Sequence, residues 1–112
     1  MHATRLYLAR HGQVEGYQEK RYNGQINVSL TETGKEQSAL ICASLSDIAL
    51  DAVYSSDLDR SRYCANLIAE DQGLAVVAEE ALREINFGDW EGRTWAELQE
   101  VYPQDWQRRL QD

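Results

Sequence analysis

The chain has 112 residues, of which 43% are hydrophobic, 27% are charged and one is proline. A chain of this length and composition builds one hydrophobic core, and it is neither a disordered nor a fibrous protein. Nineteen acidic against 11 basic side chains give a formal net charge of −8, which opposes binding to nucleic acids and to anionic membranes.

The apolar runs of the sequence are short, and none approaches the roughly 20 residues that a membrane-spanning helix needs. The run at residues 6–9 is also too brief for the apolar region of a secretory signal. These features predict a soluble, cytoplasmic protein. Cys42 and Cys64 lack the paired spacing of a metal site, so they are predicted to be buried, reduced thiols.

The first predicted element is a strand over residues 5–9, because this stretch is nearly all apolar and is followed by a polar tripeptide. Residues 12–30 are polar and aperiodic, which predicts a long loop with a functional role. Thr31 is predicted to cap the helix that follows. The apolar positions of that helix are Leu40, Ile41, Leu45 and Ile48.

Two further strands are predicted downstream, at residues 51–54 and 75–78, because both stretches are short and apolar. The helix between them is predicted to start after the capping side chains of residues 55–57 and to end at Gly73. Its apolar stripe consists of Leu58, Cys64, Ala65 and Ile68.

The last part of the chain is predicted to be helical. Thr94 and Glu97 form a capping box for one helix, and Pro103 begins a further helical turn. Three tryptophans are predicted to pack in the core or at its edge: Trp90, Trp95 and Trp106. Because strands alternate with helices, the sequence predicts an α/β layered sandwich with a mainly parallel sheet and right-handed crossovers.

Polar clusters follow the predicted strands at residues 10–12, 55–60 and 83–84. Ligands gather at the carboxyl ends of parallel strands, so these clusters are candidates for one site. His11 is the candidate nucleophile, because a neutral imidazole can attack phosphorus and form a phosphoramidate without strong activation.

Three charged side chains can complete such a site. Arg10 and Arg60 carry planar positive charges that can clamp phosphate oxygens through paired hydrogen bonds. Glu84 is expected to be partly buried beside Phe87 and Trp90, and it is the candidate general acid that protonates a leaving alcohol.

Each of these residues also has a simpler structural interpretation. A histidine after a strand is more often a hydrogen-bonded polar residue than a nucleophile. Arg60 can pair with Asp57 or Asp59, as neighbours on a helix do. Glu84 can form a solvated ion pair with Arg83. Considered one at a time, the residues leave these alternatives open.

Four motifs together resemble the histidine phosphatase superfamily, which includes cofactor-dependent phosphoglycerate mutases and alpha-ribazole phosphatases. They occur in the family's order through nearly the whole chain. The motifs are Leu6-Tyr-Leu-Ala-Arg-His-Gly12, Tyr22-Asn-Gly24 followed by Leu30-Thr-Glu-Thr-Gly34, Tyr54-Ser-Ser-Asp-Leu-Asp-Arg60 with Ala65, and Leu82-Arg-Glu-Ile-Asn-Phe-Gly-Asp-Trp-Glu-Gly92. The resemblance implies a phosphoglycerate mutase-like, three-layer α/β/α sandwich that forms a single domain over residues 1–112.

The resemblance also implies a phosphomonoester hydrolase that acts on a small phosphorylated metabolite through a phosphohistidine intermediate. Carried over by motif, His11 is the nucleophile, and Glu84 is the proton donor. Arg10 and Arg60 are implied to hold the phosphate.

Asn23, with Gly24 beside it, stands where many members place a polar residue that contacts the transferred group. The family works without metal or nucleotide, so the resemblance implies no cofactor. Two alternatives remain open, namely mutase-type phosphoryl transfer and a catalytically silent fragment that binds only phosphate or a partner chain.

The chain departs from the family pattern in three places. Val14 and Tyr17 stand where many members have a small hydroxyl residue and an asparagine. The family completes its phosphate pocket with a second histidine on a later strand, whereas the other histidine of this chain is His2. We therefore expect a chain truncated at its C-terminal end, with residues 6–9 left as an exposed apolar edge that can pair with another copy.

Overall fold

The computed structural model describes residues 3–111, in which helices alternate with two short strands. The helices are α1 (Glu32–Leu45), α2 (Asp59–Gln72), α3 (Trp95–Val101) and α4 (Pro103–Gln111). The strands are β1 (Val53–Ser55) and β2 (Val76–Ala78). Short 3-10 helices occur at Tyr17–Glu19, Glu80–Leu82 and Gly88–Trp90.

The sheet confirms the predicted parallel pairing around a helical crossover. Val53 of β1 lies opposite Val76 of β2, and Ser55 lies opposite Ala78. Helix α2 connects the two strands. Because the strands are parallel, both end at the same edge of the sheet, and the chain segments that follow them meet there.

The hydrophobic core lies between α1, α2 and the sheet. Its buried members are Val53, Cys64, Ala65, Ile68 and Ala69, and six half-buried residues pack around them: Ile41, Cys42, Leu45, Leu50, Leu74 and Val76. Both cysteines are free thiols, Cys64 buried and Cys42 half-buried. Burial raises the pKa of each thiol, so both are protonated at neutral pH.

Several predicted helix boundaries are confirmed in atomic detail. Thr31 Oγ1 accepts a hydrogen bond from Gly34 N at 3.0 Å, which caps α1. Thr94 Oγ1 accepts one from Glu97 N at 3.1 Å, which caps α3. Gly73 ends α2 with φ of 68°, a backbone conformation that favours glycine. These boundaries could be predicted because each depends on residues three or four positions apart.

The predicted first strand is not formed. Residues 5–9 have no strand pairing in the part of the chain that the structure describes, and Leu6 and Leu8 are 78% and 88% exposed. A strand requires a neighbour for its main-chain hydrogen bonds, and the other strands pair with each other. This apolar segment has no strand partner, so it remains irregular and exposed.

The helices are less buried than their sequence pattern predicts. Leu40 is 71% exposed on α1, although it was expected at an apolar position of that helix. Helix α1 ends at Leu45, so Ile48 lies in the turn beyond it.

Over residues 3–111, no helix combines the length and the apolar character that crossing a membrane requires.

A second cluster packs around the ring of Tyr22 and is called the Tyr22 cluster. The rings of Phe87, Trp90, Trp95 and Trp106 lie with their centroids 4.8–6.4 Å from that of Tyr22. Trp106 is buried, which confirms the predicted packing role of this tryptophan on α4. The cluster fastens the long loop to the later part of the chain.

Candidate active site

The turn at residues 10–12 is packed tightly against the first turn of α1. Gly12 and Gly34 are both buried. A Cβ atom on Gly12 would collide with the carbonyl oxygen of Gly34, and one on Gly34 would collide with the carbonyl oxygen of Gln13. Only glycine fits at either position, so the turn that carries His11 is fixed to α1.

The imidazole of His11 is half-buried and is oriented by its neighbour. Nδ1 lies 2.8 Å from the carbonyl oxygen of Gly12. Because a carbonyl oxygen can only accept, Nδ1 carries the proton in this hydrogen bond and Nε2 of the neutral ring keeps a lone pair. This tautomer presents Nε2 as the nucleophilic or basic atom.

Arg60 lies in the first turn of α2 and is only 3% exposed. Its guanidinium donates hydrogen bonds to the carbonyl oxygens of Gly24 and Ile26 in the long loop. Burial lowers the pKa of this guanidinium, and the carboxylates of Glu84 and Glu91 oppose that shift. Arginine remains charged at neutral pH under such conditions, so the site holds a buried positive charge.

The surface ion pair considered for Arg60 is not what the described chain shows. Asp57 binds Arg83 instead. Asp59 exchanges two hydrogen bonds with Asn27 of the long loop: Asp59 N donates to Asn27 Oδ1 at 2.9 Å, and Asn27 Nδ2 donates to Asp59 Oδ2 at 3.0 Å. Asn27 of the loop thus caps the start of α2. The predicted capping by the side chains of residues 55–57 is wrong, because the N-cap residue is Leu58 and it has no side-chain capping hydrogen bond.

A glutamate, Glu91, also holds the Gly24 turn. Glu91 Oε1 accepts hydrogen bonds from Gln25 N at 2.8 Å and from Phe87 N at 3.3 Å. Gly24 has φ of 53°, and a Cβ there would collide with the same carboxylate. Sequence reasoning missed this role of Glu91, because its partner Gln25 lies 66 residues away and no local pattern connects them.

Glu84 is exposed, so the expected partial burial is wrong. The rings of Phe87 and Trp90 contact Tyr22 and belong to the Tyr22 cluster. Glu84 Oε1 accepts a hydrogen bond from the next amide, Ile85 N, at 3.1 Å. Its main-chain oxygen lies 3.4 Å from Gln25 Nε2, which donates to it.

One cavity of about 340 Å³ brings the main candidate residues together. Its lining comprises Ala9, Arg10, His11, Ser56, Leu58, Arg60, Ser61, Leu82, Arg83 and Glu84. Seven of these ten residues belong to the three predicted polar clusters, and Ala9, Ser61 and Leu82 adjoin them in the sequence. An imidazole with a free lone pair, guanidinium groups and a carboxyl group around one small cavity suit the transfer of an anionic group.

The remaining candidates lie elsewhere. Asn23 and Gly24 are not part of the cavity lining formed by residues 3–111, although Gly24 is tied to it through Arg60. His2 lies outside the described residues, so the structure does not place the other histidine of the chain.

Comparisons of this chain with known proteins agree on one family. The model of the histidine phosphatase superfamily (branch 1) matches residues 6–112. Phosphoserine phosphatase 1 of Hydrogenobacter thermophilus is 38% identical over 109 residues, which are 97% of this chain and 52% of the relative. A probable phosphoglycerate mutase of Escherichia coli O1:K1 is 33% identical over 105 residues, 94% of this chain and 48% of the relative.

Solved structures show the same likeness. A mycobacterial glucosyl-3-phosphoglycerate phosphatase superimposes with a TM-score of 0.81 at 33% identity, covering 89% of this chain and 46% of that protein. The chain thus spans about half the length of the relatives it matches. The family model covers nearly all of the sequence, and the fold and the motifs agree with it, so the chain belongs to the histidine phosphatase superfamily (branch 1).

Proposed function

We propose that the chain carries the nucleophilic half of a phosphomonoester hydrolase that acts on a small phosphorylated metabolite through a phosphohistidine intermediate. The observation that supports this most directly is His11, whose Nδ1 is held by Gly12 while Nε2 is left to react at a cavity lined by Arg10, Arg60 and Glu84. Relatives named as phosphatases support the same reaction class.

In the proposed first step, His11 Nε2 forms a bond to phosphorus while the bond between phosphorus and the ester oxygen breaks. Glu84, in its protonated form, gives its proton to the departing oxygen and becomes a carboxylate. In the second step, that carboxylate accepts a proton from water as the water oxygen bonds to phosphorus and the bond between phosphorus and His11 Nε2 breaks. Inorganic phosphate leaves, and both residues return to their starting states.

The arginines have different parts in this proposal. Arg10 is exposed at the cavity and can approach a phosphoryl group directly. Arg60 uses hydrogen bonds to two carbonyl oxygens, which leaves some of the five guanidinium N–H groups for a bound phosphate. Most of the rate enhancement would come from such fixed positive charge.

A mutase is the second candidate, because a relative of similar identity is named a probable phosphoglycerate mutase. The same phosphohistidine would then return its phosphoryl group to an organic acceptor rather than to water. A catalytically silent fragment is the third, since the chain spans about half of its relatives.

The proposal extends to partners. The substrate would be a small phosphate ester, and the charge of −8 argues against nucleic acid as a partner. The exposed apolar segment at residues 6–9 supports self-association through that edge.

The test is chemical trapping. The chain is incubated with a labelled phosphate monoester in the presence of a chelator, denatured, and assayed for acid-labile phosphate on histidine. We expect a label on His11 without added metal, none in His11→Ala, and retention of the label in His2→Ala. A label that persists in His11→Ala, or one that the chelator abolishes, would contradict the nucleophile assignment.

The same experiment separates the candidate functions. Release of the label to water identifies a phosphatase, and transfer to an added alcohol identifies a mutase. If neither label nor release occurs, the chain alone is silent.

A further inference from the structure

Asp57 and Arg83 form a two-pronged ion pair at the edge of the sheet where β1 and β2 end. Arg83 Nε lies 2.5 Å from Asp57 Oδ1, and the second guanidinium contact, to Asp57 Oδ2, is 2.6 Å. The side chain of Arg83 is only 25% exposed, and that of Asp57 is 32% exposed. A planar guanidinium bound through two parallel hydrogen bonds has a defined orientation as well as a defined distance.

This pair connects two different parts of the cavity. Asp57 follows β1 and belongs to the segment that leads into α2. Arg83 follows β2 and lines the cavity next to Glu84. The guanidinium of Arg83 also lies 3.7 Å from Glu80, but that carboxylate is largely exposed and the contact is a single one.

The side-chain contacts of Glu84 do little to fix the position of its carboxylate. It is exposed, and its hydrogen bond from Ile85 N lies within its own segment. Its position relative to His11 therefore depends on how the main chain at residues 83–84 is anchored. Within the segment, Arg83 N donates to the Glu80 carbonyl oxygen at 3.0 Å. Two contacts join the segment to distant parts of the chain: the Asp57–Arg83 pair and the hydrogen bond from Gln25 Nε2 to the Glu84 carbonyl oxygen.

We propose that Asp57 and Arg83 are positioning residues that hold Glu84 at the distance from the leaving oxygen that proton transfer requires. The inference rests on the proposed role of Glu84 as proton donor. The Arg83 hydrogen bonds also keep the pKa of Asp57 below its usual range, so the carboxylate partner is present throughout the neutral range. Glu84 itself supplies the proton, and Asp57 and Arg83 do not touch the substrate in this assignment.

The test uses the dependence of turnover on the leaving group. An alkyl phosphate leaves as a basic alkoxide and needs the proton, whereas p-nitrophenyl phosphate leaves as a weakly basic phenolate and needs it much less. A misplaced proton donor therefore slows the alkyl ester selectively, while a general loss of folded protein slows both esters equally.

In Asp57→Asn and Arg83→Lys we expect kcat for the alkyl ester to fall roughly 10-fold to 100-fold, with KM changed by less than about threefold. Turnover of p-nitrophenyl phosphate should fall by less than about threefold. Glu80→Gln is the matched control, because it removes the exposed partner of the same guanidinium, and it should leave both rates unchanged. Glu84→Gln is the reference and should show the same selectivity with a larger loss.

The reference variant separates the two ideas. If Glu84→Gln shows no leaving-group selectivity, the proton-donor assignment fails, and the inference fails with it. If Glu84→Gln is selective but Asp57→Asn and Arg83→Lys are not, the inference alone is overturned.

Amide hydrogen exchange tests the positioning without requiring turnover. We expect the Ile85 and Phe87 amides to exchange roughly 10-fold faster in Asp57→Asn than in Glu80→Gln, with α2 unchanged. Unchanged exchange at Ile85 and Phe87 would overturn the inference. Equal acceleration through α2 would also overturn it, because the pair would then act only on global stability.

Discussion

Arg60 has two functions at the level of a single side chain: it supplies a buried charge to the cavity, and it binds a loop that precedes it by 34 and 36 residues. Removing it would leave the buried carbonyl oxygen of Gly24 without this donor, which costs about 1–3 kcal/mol for a buried group left unpaired. The Ile26 carbonyl oxygen keeps its hydrogen bond from Val28 N at 2.9 Å. Its loss should therefore affect both the stability of the chain and its chemistry.

Arg60→Ala and Arg62→Ala provide a matched comparison. Arg62 lies two residues along the same helix and is exposed, so it points to a different side. We expect Arg60→Ala to cost roughly 2–4 kcal/mol of transition-state stabilisation, or about 1.5 to 3 decades in kcat/KM. Arg62→Ala should change kcat/KM by less than about twofold. Equal, small effects in steady-state assays would show that Arg60 is not part of the phosphate site.

The ionisation of Asp57 makes a prediction about acid stability. Its folded-state pKa is lowered from the ordinary value of 3.8, first by the hydrogen bond from Arg83. A group with a depressed pKa stabilises the folded state above its unfolded pKa, and this contribution disappears as the pH falls through the folded value.

Asp57→Asn should therefore be less stable than the natural chain at neutral pH, and the difference should shrink as the pH falls below about 5. Urea titrations at a series of pH values measure this convergence. Glu80→Gln, the exposed-partner control, should follow the natural chain throughout. A stability difference that is independent of pH would show that the Asp57 carboxylate is not the group responsible.

At the level of secondary-structure elements, the position of His11 depends on the contact between its turn and α1. Alanine is normally about 1 kcal/mol better than glycine inside a helix. Gly34 should reverse this preference, because a Cβ would collide with the carbonyl oxygen of Gln13.

We expect Gly34→Ala to destabilise the chain by about 1–3 kcal/mol, the usual cost of overpacking a close contact. Thr33→Ala, at the exposed neighbouring position of α1, should stay within about 0.5 kcal/mol of the natural chain. Chemical denaturation measures both values. A stabilised Gly34→Ala would mean that the turn is not held against the helix.

The helices could be predicted from the sequence because their signals are local. Thr31 with Gly34 and Thr94 with Glu97 mark helix starts within four residues. Whether residues 5–9 form a strand could not be predicted in the same way, because a strand exists only with a partner and apolar character does not supply one.

The cavity shows the same limit. Motif resemblance singled out His11, Arg60 and Glu84, and the structure lines one cavity with them. The motifs could not indicate that Arg60 and Glu91 both bind the long loop, because these contacts join positions that are distant in the sequence.

For the whole molecule, the exposed segment at residues 6–9 is the main departure from a closed hydrophobic core. Leu6 and Leu8 are exposed beside main-chain groups that pair with no strand in the described chain. Burying such a segment is favourable, at roughly 25 cal/mol for each Å² of apolar surface removed from water. The charge of −8 opposes nonspecific aggregation but leaves this local driving force in place.

We expect concentration-dependent self-association, with at least a dimer detected by analytical ultracentrifugation. Leu8→Lys should shift the chain toward monomer, since a lysine on a strand edge opposes pairing. Leu40→Lys, which places the same charge at an exposed leucine of α1, is the control and should still associate. A natural chain that stays monomeric at high concentration would show that this edge does not bind a second copy.

The hydrogen bonds that hold the long loop in place also determine when it can become ordered during folding. Contacts such as Arg60 to Gly24 and Gln25 to Glu91 close chain segments of 36 and 66 residues, whereas the helix caps close segments of three. Closing a longer segment costs more chain entropy, and this cost comes before the contact contributes any favourable free energy. Nonlocal contacts therefore form late. The helices of this protein can therefore form while the cavity is still open, and correct helical content alone does not establish that the site has been assembled.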